Sequence, residues 1–550
     1  MIAIVGGGPV GLATAIELGL RGLDCTVIEQ GDGEVGHSKF VDINMRTMEF
    51  CRRWGVAEEI RDRGFNPDYA QDLIYVTTLT GYLLGRQPFP PFAQFRTPPT
   101  TPERIARCPQ TIFDPILRRT AAAQPSVRFR YRTRCEDVRQ DACGVTLRLT
   151  DLASGTCEEL QAGYVACCEG AGSTIRQALG IALDGAGTLS LNANIVFRSD
   201  EFLHVHDKGP GFYTAIGPEG RWASVLAIDG GTLWRLQLTT PVTNTTLPRD
   251  QAEALVRRFM GRDFAFEIVS ALVWSRREVV ASTYRRDRVF LLGDAAHQLS
   301  PTGGFGLNTG IGDVTNLSWK LAAVADGWGG PELLASYDPE RRPIGVRSVR
   351  AATGRWRENE ALGGTPGGVI LESGPEGERV RAEVRQRLQA VLDRANCGYD
   401  YGPRYEDAGL QLGYSYEDSP VIVGDGTPPP LEDQRVYYPL ARPGMRAPHY
   451  WLDERTSILD LFGGGFVLLR LGRNVPPADA FVEAAARRGV PLSVHAFDIP
   501  QLSHTYNKQL VLVRPDGHVA WRSDELPPDA QHVLDVVRGW VNVAGAANAA

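Results

Sequence analysis

The chain opens on a glycine-rich turn between a short apolar run and a helical pattern. Ile2–Val5 is apolar throughout, which is typical of a strand buried on both faces. The turn after it carries Gly6, Gly8 and Gly11 in the spacing of dinucleotide-binding loops. Gly6 allows the tight turn, Gly8 lets a pyrophosphate approach the backbone, and Gly11 lets the helix pack closely on the strand. The opening therefore predicts a βαβ unit that binds a dinucleotide.

The next segments complete such a unit. Residues 10–21 have helical spacing, and Cys25–Ile28 is a second apolar run. Pro9 precedes the helix, whose N-terminal amides and positive dipole end favour phosphate. Glu29 follows Gly11 by 18 residues, close to the spacing of an acid that accepts hydrogen bonds from ribose hydroxyls. We therefore predict that Glu29 binds the ribose.

A second glycine-rich segment lies far downstream. The apolar run 289–292 predicts a strand that delivers Asp294 at its C-terminal end, where ligands bind in open α/β sheets. The loop over residues 300–308 carries three glycines ahead of a helix predicted for residues 310–325. Free backbone amides in that loop suit a flavin ring edge or a phosphate. The alternative is an ordinary helix N-terminus capped by an aspartate.

Composition and charge narrow the class of protein. Hydrophobic residues make up 43% of the 550 and charged residues 22%, which is ordinary for a soluble globular protein. The formal net charge of −7 offers no basic footprint, so we expect no nucleic-acid partner. No apolar run reaches about 18 residues and only Met1 precedes the first strand, so we expect neither a membrane span nor a signal peptide. The nine cysteines form no CxxC pair and no zinc-like spacing, which predicts reduced thiols, no metal site and a cytoplasmic location.

Together with a third segment, the two glycine motifs resemble the single-component, or class A, FAD-dependent aromatic hydroxylases. The third segment, Cys168–Arg176, is similar to the family's Cys-Asp-Gly-Ala-x-Ser-x-Val-Arg stretch, with Glu169 in place of the Asp. Residues 37–49 are similar to the family's Pro-Arg-Ala stretch and the Asn-x-Arg-Thr-Met-Glu stretch after it, with Lys39 in place of an Arg. Gln110 stands in a Pro-Gln segment whose Gln reaches FAD in the family. The resemblance covers most of the chain.

The C-terminal part resembles the phenol hydroxylase branch of this family. Residues 438–439, 443–449 and 512–521 are similar to the thioredoxin-like tail of that branch. A redox-active thioredoxin needs a CxxC after its first strand, and no cysteine follows the strand predicted at Phe466–Leu471. We therefore predict a structural or interfacial tail and not a dithiol catalyst.

The fold class that follows is α/β with three domains. Helical spacing predicts helices over residues 42–54 and 114–123, and these alternate with buried-strand patterns. Other stretches show the period-two alternation that is typical of antiparallel sheet. We predict a discontinuous Rossmann-like FAD-binding domain (residues 1–71, 109–186 and 281–423), which holds an inserted β-sheet substrate domain (residues 72–108 and 187–280). A thioredoxin-like α/β domain without CxxC (residues 424–550) completes the chain.

The resemblance implies bound FAD and a transient NADH or NADPH co-substrate. In the family's cycle NAD(P)H reduces the flavin, O2 adds at its C4a atom, and the hydroperoxyflavin hydroxylates an aromatic ring. Pro301 is expected near C4a, with backbone amides of residues 304–308 at the carbonyl edge of the ring. Arg118 either points toward the cofactor or is a solvated helix residue. The expected cofactor-binding residues are Gly6, Gly8, Pro9, Gly11, Glu29, Lys39, Arg46, Gln110, Glu169, Asp294, Pro301, Gly304, Gly306, Leu307 and Asn308.

A phenol reacts best as its phenolate, so the site needs a base or a hydrogen-bond acceptor. The candidates are Asp42, His37, Tyr213, His204 and His206. Arg235 either pairs with a substrate carboxylate as a bidentate fork or lies on a solvated strand face. Phe212, Trp222 and Trp234 either line an apolar pocket or belong to the sheet core, and we favour the core.

These features predict a homodimeric monooxygenase that hydroxylates a phenolic or hydroxybenzoate-like ring with NAD(P)H and O2. One alternative is a hydroxylase of an aromatic polyketide in a biosynthetic pathway. Another is a flavin oxidase or dehydrogenase on the same scaffold, and a third is a non-enzymatic flavin-binding protein. A halogenase of related type would carry a Trp-x-Trp-x-Ile-like segment, which this sequence lacks.

Overall fold

The computed structural model describes residues 1–36, 42–395, 401 and 407–541. His37 and Lys39, two of the predicted site residues, lie outside this part of the chain. Helices and strands are numbered below along the chain. Short 3-10 turns lie at Phe92–Gln94, Gly293–Ala295, Gly368–Leu371 and Ile458–Leu461.

A six-stranded sheet forms the centre of the first domain. Its strands are β1 Ile2–Val5, β2 Cys25–Ile28, β7 Val127–Arg130, β11 Tyr164–Cys167, β17 Arg285–Arg286 and β18 Val289–Leu291. Their order is β17-β18-β11-β1-β2-β7, and only β17 runs antiparallel to its neighbour. Strands β1, β2 and β18 are buried at every position, as expected for a parallel sheet covered on both faces.

Helices and two small sheets surround this centre. Helix α1 packs against α4 and α7, which places the opening turn beside the second glycine-rich loop. The helices are α1 Pro9–Gly19, α2 Met45–Arg53, α3 Ala57–Gly64, α4 Gln110–Ala122, α5 Thr174–Ala178, α7 Phe305–Ala325, α8 Pro331–Ala335, α9 Tyr337–Glu360 and α11 Ala408–Leu412. Helix α10 Pro375–Ala395 packs instead against the eight-stranded sheet of the inserted domain. The small sheets pair β3 Asp42–Ile43 with β6 Ala106–Arg107, and join β8 Thr133–Gln140, β9 Val145–Asp151 and β10 Cys157–Ala162.

An eight-stranded sheet forms the inserted domain. Its strands are β4 Leu73–Val76, β5 Leu83–Gln87, β12 Leu183–Arg198, β13 Phe212–Gly217, β14 Gly220–Ala227, β15 Leu233–Leu238, β16 Glu267–Ala281 and β19 His297–Gln298. Their order is β19-β16-β12-β15-β14-β13-β4-β5, so a strand from the second glycine-rich segment joins one edge. Helix α6 Arg249–Met260 packs against one face of this sheet, and the other face is turned to a cavity.

The C-terminal domain has a four-stranded sheet in the order β21-β20-β22-β23. Strand β20 runs parallel to β21 and antiparallel to β22. The elements are β20 Phe466–Leu471, α12 Asp479–Arg488, β21 Leu492–Phe497, α13 Pro500–Tyr506, β22 Leu510–Val513, β23 Val519–Ser523 and α14 Ala530–Val537. None of the described helices, in this domain or elsewhere, combines the length and apolar composition needed to cross a bilayer.

The predicted fold class is confirmed, with differences at helix starts. Helix α4 begins at Gln110 where the sequence predicted about residue 114, and α7 begins at Phe305 where it predicted about residue 310. The helix predicted from Asp42 instead begins at Met45. Asp42 lies in β3 because this two-residue strand pairs with Ala106–Arg107, a contact between distant segments.

Candidate functional site

A cavity of about 1480 Å³ lies between the two glycine-rich loops and one face of the eight-stranded sheet. Ligand pockets for one small molecule are usually about 300–1,000 Å³. The volume therefore suits a dinucleotide together with a second, smaller molecule.

The opening turn forms one end of the cavity, and no side chains cover its glycine backbone. Gly6 has φ +108°, and a Cβ there would lie 2.3 Å from the Cys168 carbonyl oxygen. A Cβ on Gly11 would lie 1.9 Å from the Gly6 carbonyl oxygen, so helix and turn touch at that point. A Cβ on Gly8 would meet no atom within 4 Å, which leaves that stretch of backbone open to the cavity. This is the space and the amide-rich surface that the pyrophosphate of FAD requires.

Glu29 lies on the cavity wall and fixes the turn. Its Oε2 accepts a hydrogen bond from the Gly7 amide at 2.7 Å, and its Oε1 accepts one from the Gly31 amide at 2.6 Å. Each carboxylate oxygen can accept a second hydrogen bond. The geometry is therefore compatible with a ribose hydroxyl at Glu29.

Glu169 also lines the cavity, and its carboxylate caps helix α5. It accepts hydrogen bonds from Ser173 Oγ at 2.7 Å, Thr174 Oγ1 at 2.8 Å and the Ile175 amide at 3.0 Å. The residue that replaces the family's Asp thus holds the start of a helix beside the cavity.

The second glycine-rich loop closes the opposite side of the dinucleotide end. Gly303 and Gly304 have positive φ, and Gly304 precedes α7. The Asn308 amide group ties this loop to the first domain, since its Nδ2 donates to the Gly304 carbonyl at 2.6 Å. Its Oδ1 accepts from the Asn44 amide at 3.0 Å and from Thr47 Oγ1 at 2.7 Å. Asn308 acts here through its side chain, as a clamp on the loop.

The sheet face turned to the cavity is polar and carries arginine. One cross-strand row places Thr214, Ser224, Gln237 and Asn194 side by side on neighbouring strands. The charged residues that the eight-stranded sheet contributes to the cavity wall are all arginine, namely Arg221, Arg235, Arg276 and Arg277. The charged side chains that this sheet contributes to the wall are therefore all positive.

An ion pair marks the end of this face near the flavin loop. Arg107 Nε lies 3.0 Å from Asp42 Oδ1, and Arg107 Nη1 donates to Gln71 Oε1 at 2.8 Å. A Cβ on Gly304 would lie 3.4 Å from the Asp42 Cβ, so this pair adjoins the flavin loop. Burial lowers the pKa of the neighbouring Arg235 to about 10, and Asp42 opposes that shift.

Arg107 was not among the site residues predicted from the sequence. Its position follows from the pairing of β3 with β6, and nothing in the local sequence pattern signals that contact.

A second arginine group also contacts the second glycine-rich loop. Arg276 is buried, hydrogen bonds to Ser300 and to Thr302 Oγ1 (3.3 Å), and lies between the rings of Trp274 and Trp356. Burial lowers the pKa of Arg276 to about 10. Arg276 was not predicted from the sequence either, because no motif surrounds an arginine on a long strand of alternating apolar and polar residues.

The structure brings most of the predicted site residues together. Those on the cavity wall are Gly6, Gly8, Pro9, Glu29, Asp42, Gln110, Glu169, Arg235, Asp294, Pro301, Gly304, Gly306 and Leu307. Phe212 lies there too, whereas Trp222 and Trp234 are buried in the sheet core as favoured.

Several predicted residues lie away from the wall. Tyr213 is buried in the sheet core, donates its hydroxyl to the Gly209 carbonyl, and has a pKa raised by burial. His206 packs on Tyr213, and burial lowers the pKa of His206 to about 4. His204 does not reach the cavity wall. Arg118 pairs with Glu34 at 3.2 Å.

Arg46, expected to bind the cofactor, instead contacts the C-terminal domain. Its Nη1 donates to Glu49 Oε2 at 2.7 Å, and its Nη2 donates to the Asp516 carbonyl at 2.8 Å. The family stretch that contains Arg46 begins helix α2, and that helix turns this side chain toward the domain contact. These contacts place the Arg46 side chain at the boundary with the C-terminal domain, away from the cavity wall.

Two protein-family profiles match the chain: an FAD binding domain over residues 1–352, and an aromatic-ring hydroxylase C-terminal domain over residues 441–544. The chain is 31% identical to the 4-methyl-5-nitrocatechol 5-monooxygenase of a Burkholderia species, over 97% of this chain and 96% of that protein. It is 30% identical to the tetracenomycin B2 monooxygenase-dioxygenase of Streptomyces olivaceus, over 98% of this chain and 97% of that protein. A solved structure of the rebeccamycin biosynthetic enzyme RebC with reduced flavin matches at TM-score 0.88 and 37% identity, covering 98% of this chain and 99% of that one.

Proposed function

The chain belongs to the FAD-dependent aromatic-ring hydroxylases, and from that premise we propose that it hydroxylates a phenolic ring with NAD(P)H and O2. The observation that carries the proposal is one cavity that joins the bare dinucleotide turn to a polar sheet face. The chemistry that bound FAD supplies is the passage of electrons from NAD(P)H to O2 and delivery of one oxygen atom to the ring.

In this proposal the chain's own residues hold the cofactor at two loops. The amides around Gly8 and the start of α1 bind the pyrophosphate, and Glu29 accepts from the ribose. The backbone of residues 301–307 lies at the ring edge, with its shape fixed by Asn308.

The sheet face and Asp42 act on the substrate. The Arg107 guanidinium orients the Asp42 carboxylate, which then accepts a hydrogen bond from the phenol hydroxyl. The walls of the cavity also shield the reacting ring from water, which limits loss of reducing equivalents as hydrogen peroxide.

A second candidate substrate class is a multi-ring aromatic of the polyketide kind. The relative named for tetracenomycin B2 matches nearly the full length of the chain and supports the same class.

The test is turnover of the purified holoenzyme. NADH and NADPH oxidation are measured with single-ring phenols, hydroxybenzoates and multi-ring phenols, and mass spectrometry identifies the products. We expect a product one oxygen atom heavier than its substrate with at least one class. NAD(P)H oxidation without a heavier product from any of them would reject the proposal, and so would failure to bind FAD.

We propose further that the protein is a cytoplasmic homodimer. The cysteines in the described ranges are all free, which suits a reducing compartment. Exposed apolar side chains at Leu431, Val436, Tyr438 and Leu440 support a contact between copies. Light scattering should then give twice the chain mass of 60.1 kDa.

A further inference from the structure

A tight turn of the C-terminal domain is buried against the first domain. Residues 514–517 join β22 to β23. The Gly517 amide donates to the Arg514 carbonyl at 2.9 Å, and the Arg514 amide donates to the His518 carbonyl at 2.8 Å. Asp516 fixes the Arg514 side chain, since its Oδ2 accepts from Arg514 Nη2 at 2.6 Å. Both side chains are buried, so the turn presents them to the first domain in fixed positions.

The turn contacts helix α2. Arg46 Nη2 donates to the Asp516 carbonyl at 2.8 Å, and Arg46 Nη1 donates to Glu49 Oε2 at 2.7 Å. The next residue on the helix, Thr47, donates from Oγ1 to Asn308 Oδ1 at 2.7 Å. Neighbouring residues of one helix thus connect the turn to the side chain that clamps loop 304–308.

The same turn contacts helix α9. Arg514 donates from Nη1 and Nη2 to the two carboxylate oxygens of Glu340, at 2.6 and 2.9 Å. The next residue on that helix, Arg341, donates from Nε to Asp313 Oδ1 at 2.9 Å. Asp313 Oδ2 accepts from the Gly293 amide at 3.1 Å. This second path therefore ends at the short 3-10 turn whose middle residue is an expected FAD ligand on the cavity wall.

The carboxylate near the end of the second path is held as an anion. Asp313 is fully buried, and burial by itself would raise its pKa, but Arg341 and the His297 ring hold that pKa below its usual range. His297 Nε2 lies 2.9 Å from Asp313 Oδ2. Hydrogen bonds from backbone amides to an ionised carboxylate are stronger than those to a neutral acceptor. The position of Gly293 is therefore well defined.

Both paths lie in the protein interior. Arg46, Glu340 and Arg341 are all buried. Salt screens such pairs little, and the loss of one partner leaves an uncompensated buried charge. Hydrogen-bond networks and rigid helices carry coupling between separate sites. A displacement of turn 514–517 therefore displaces α2 and α9 and, with them, the two loops at the cofactor end of the cavity.

We propose that turn 514–517 is a positioning element for FAD, because it fixes the two helices that hold loop 304–308 and the Gly293–Ala295 turn. The Arg-Pro-Asp-Gly segment of the C-terminal domain thereby gains a role at the cofactor site. None of its four residues is among the described residues on the cavity wall, so none is expected to touch FAD. FAD binding alone is required, and the identity of the hydroxylated ring does not matter.

The first test uses the wild-type protein. Coupling between sites is reciprocal, so FAD that is positioned through this turn must also protect the turn from opening. Hydrogen–deuterium exchange is measured on the apoprotein and on the FAD-loaded protein. Amides 514–519 should exchange at least about fivefold more slowly with FAD bound. Strand β21, at the far edge of the same sheet, is the internal control and should change less. Exchange at 514–519 that is unchanged, or slowed no more than in β21, would overturn the proposal.

The second test breaks each path with a conservative variant. Arg514→Lys keeps the charge but loses the fork that binds both oxygens of Glu340, and Arg46→Lys weakens the contact with the Asp516 carbonyl. Titration of each apoprotein with FAD should give a dissociation constant raised about fivefold or more. If one variant fails to fold, the other and the exchange measurement still decide the matter.

The matched control is Arg538→Lys. Arg538 is also a buried arginine of the C-terminal domain, and it donates to the Trp328 carbonyl of the first domain at 2.9 Å. Trp328 follows the end of α7, about 30 Å along that helix from loop 304–308. Arg538→Lys should lower the melting temperature and leave the FAD dissociation constant unchanged. An equal loss of FAD affinity in Arg538→Lys and Arg514→Lys would refute the assignment to this turn, and so would unchanged affinity in both path variants.

Discussion

Gly11 shows how one missing methyl group shapes the cofactor end of the site. It lies inside helix α1, where glycine is a poor helix former, and an added Cβ would lie 1.9 Å from the Gly6 carbonyl oxygen. The close approach brings the helix N-terminus onto the turn. The glycine is therefore kept for contact and not for flexibility.

Gly11→Ala should cost about 1–3 kcal/mol of stability through overpacking, and should weaken FAD binding. The matched control is Gly354→Ala, in the exposed part of helix α9 where a Cβ meets no atom within 4 Å. That change should stabilise the protein by up to about 1 kcal/mol. The melting temperature of each variant reports its stability, and FAD titration of its apoprotein reports its affinity for FAD. Equal effects from both substitutions would contradict the contact argument.

Glu17 predicts how stability depends on pH. It is buried on α1, and burial alone would raise its pKa, but Arg53, Arg21 and the Trp54 indole lower it from an ordinary 4.5 to about 2. A carboxyl with a depressed pKa stabilises the fold above its unfolded pKa and loses that contribution as the pH falls through the folded value. About 3 kcal/mol should therefore be lost between pH 4.5 and pH 2.

Chemical denaturation across that window tests the point. Glu17→Gln should be less stable than wild type at neutral pH and should show a flatter decline from pH 4.5 to 2. Glu483→Gln, on the exposed face of α12, should follow the wild-type curve. Parallel curves for Glu17→Gln and wild type would show that Glu17 does not carry the effect.

At the scale of elements, the sequence predicted central strands well and helix starts less well. The apolar runs at Ile2–Val5 and Cys25–Ile28 are strands with the predicted bounds. A strand buried on both faces is apolar at nearly every position, and this makes its ends easy to predict. Helix α7 begins five residues before its predicted start. The prediction placed the start too late because glycines are typical of loops. Gly310 is there for packing, since a Cβ would lie 2.8 Å from a Val10 methyl.

Helix α9 also attaches the C-terminal domain. The Glu340 carboxylate accepts from Arg514 Nη1 at 2.6 Å and Nη2 at 2.9 Å, and from Lys320 Nζ at 2.6 Å, all in the interior. Arg514 lies in the tail domain, so this pair crosses a domain boundary. The two cations hold the pKa of Glu340 well below its usual range despite burial, which by itself would raise it.

Glu340→Gln should cost about 3–5 kcal/mol, because it leaves Arg514 and Lys320 buried without their carboxylate. The C-terminal domain should then separate more readily, and limited proteolysis should cut the linker at residues 424–430 faster. Glu376→Gln, which breaks an exposed pair with Arg379, should cost under about 1 kcal/mol. An unchanged cleavage rate in Glu340→Gln would argue that this contact does not hold the domain.

At the scale of the whole molecule, the site is one cavity assembled from distant segments. Its dinucleotide end was predictable, because glycine spacing records backbone geometry directly. Its substrate end was predicted only in part. Asp42 and Arg235 were named from the sequence, but Arg107 meets Asp42 through a pairing of distant strands and Arg276 reaches the cavity through sheet register. Tyr213 was a reasonable candidate base from its sequence position, but register turns it into the core.

The arrangement predicts that the oxygen atom gained by the substrate comes from O2. The direct measurement is turnover of the FAD-loaded protein with NAD(P)H and isotopically labelled dioxygen in unlabelled water, followed by mass spectrometry of the product. One labelled atom per hydroxylated ring is expected. A product that carries unlabelled oxygen from water, or complete recovery of the reducing equivalents as hydrogen peroxide with unchanged substrate, would contradict the account.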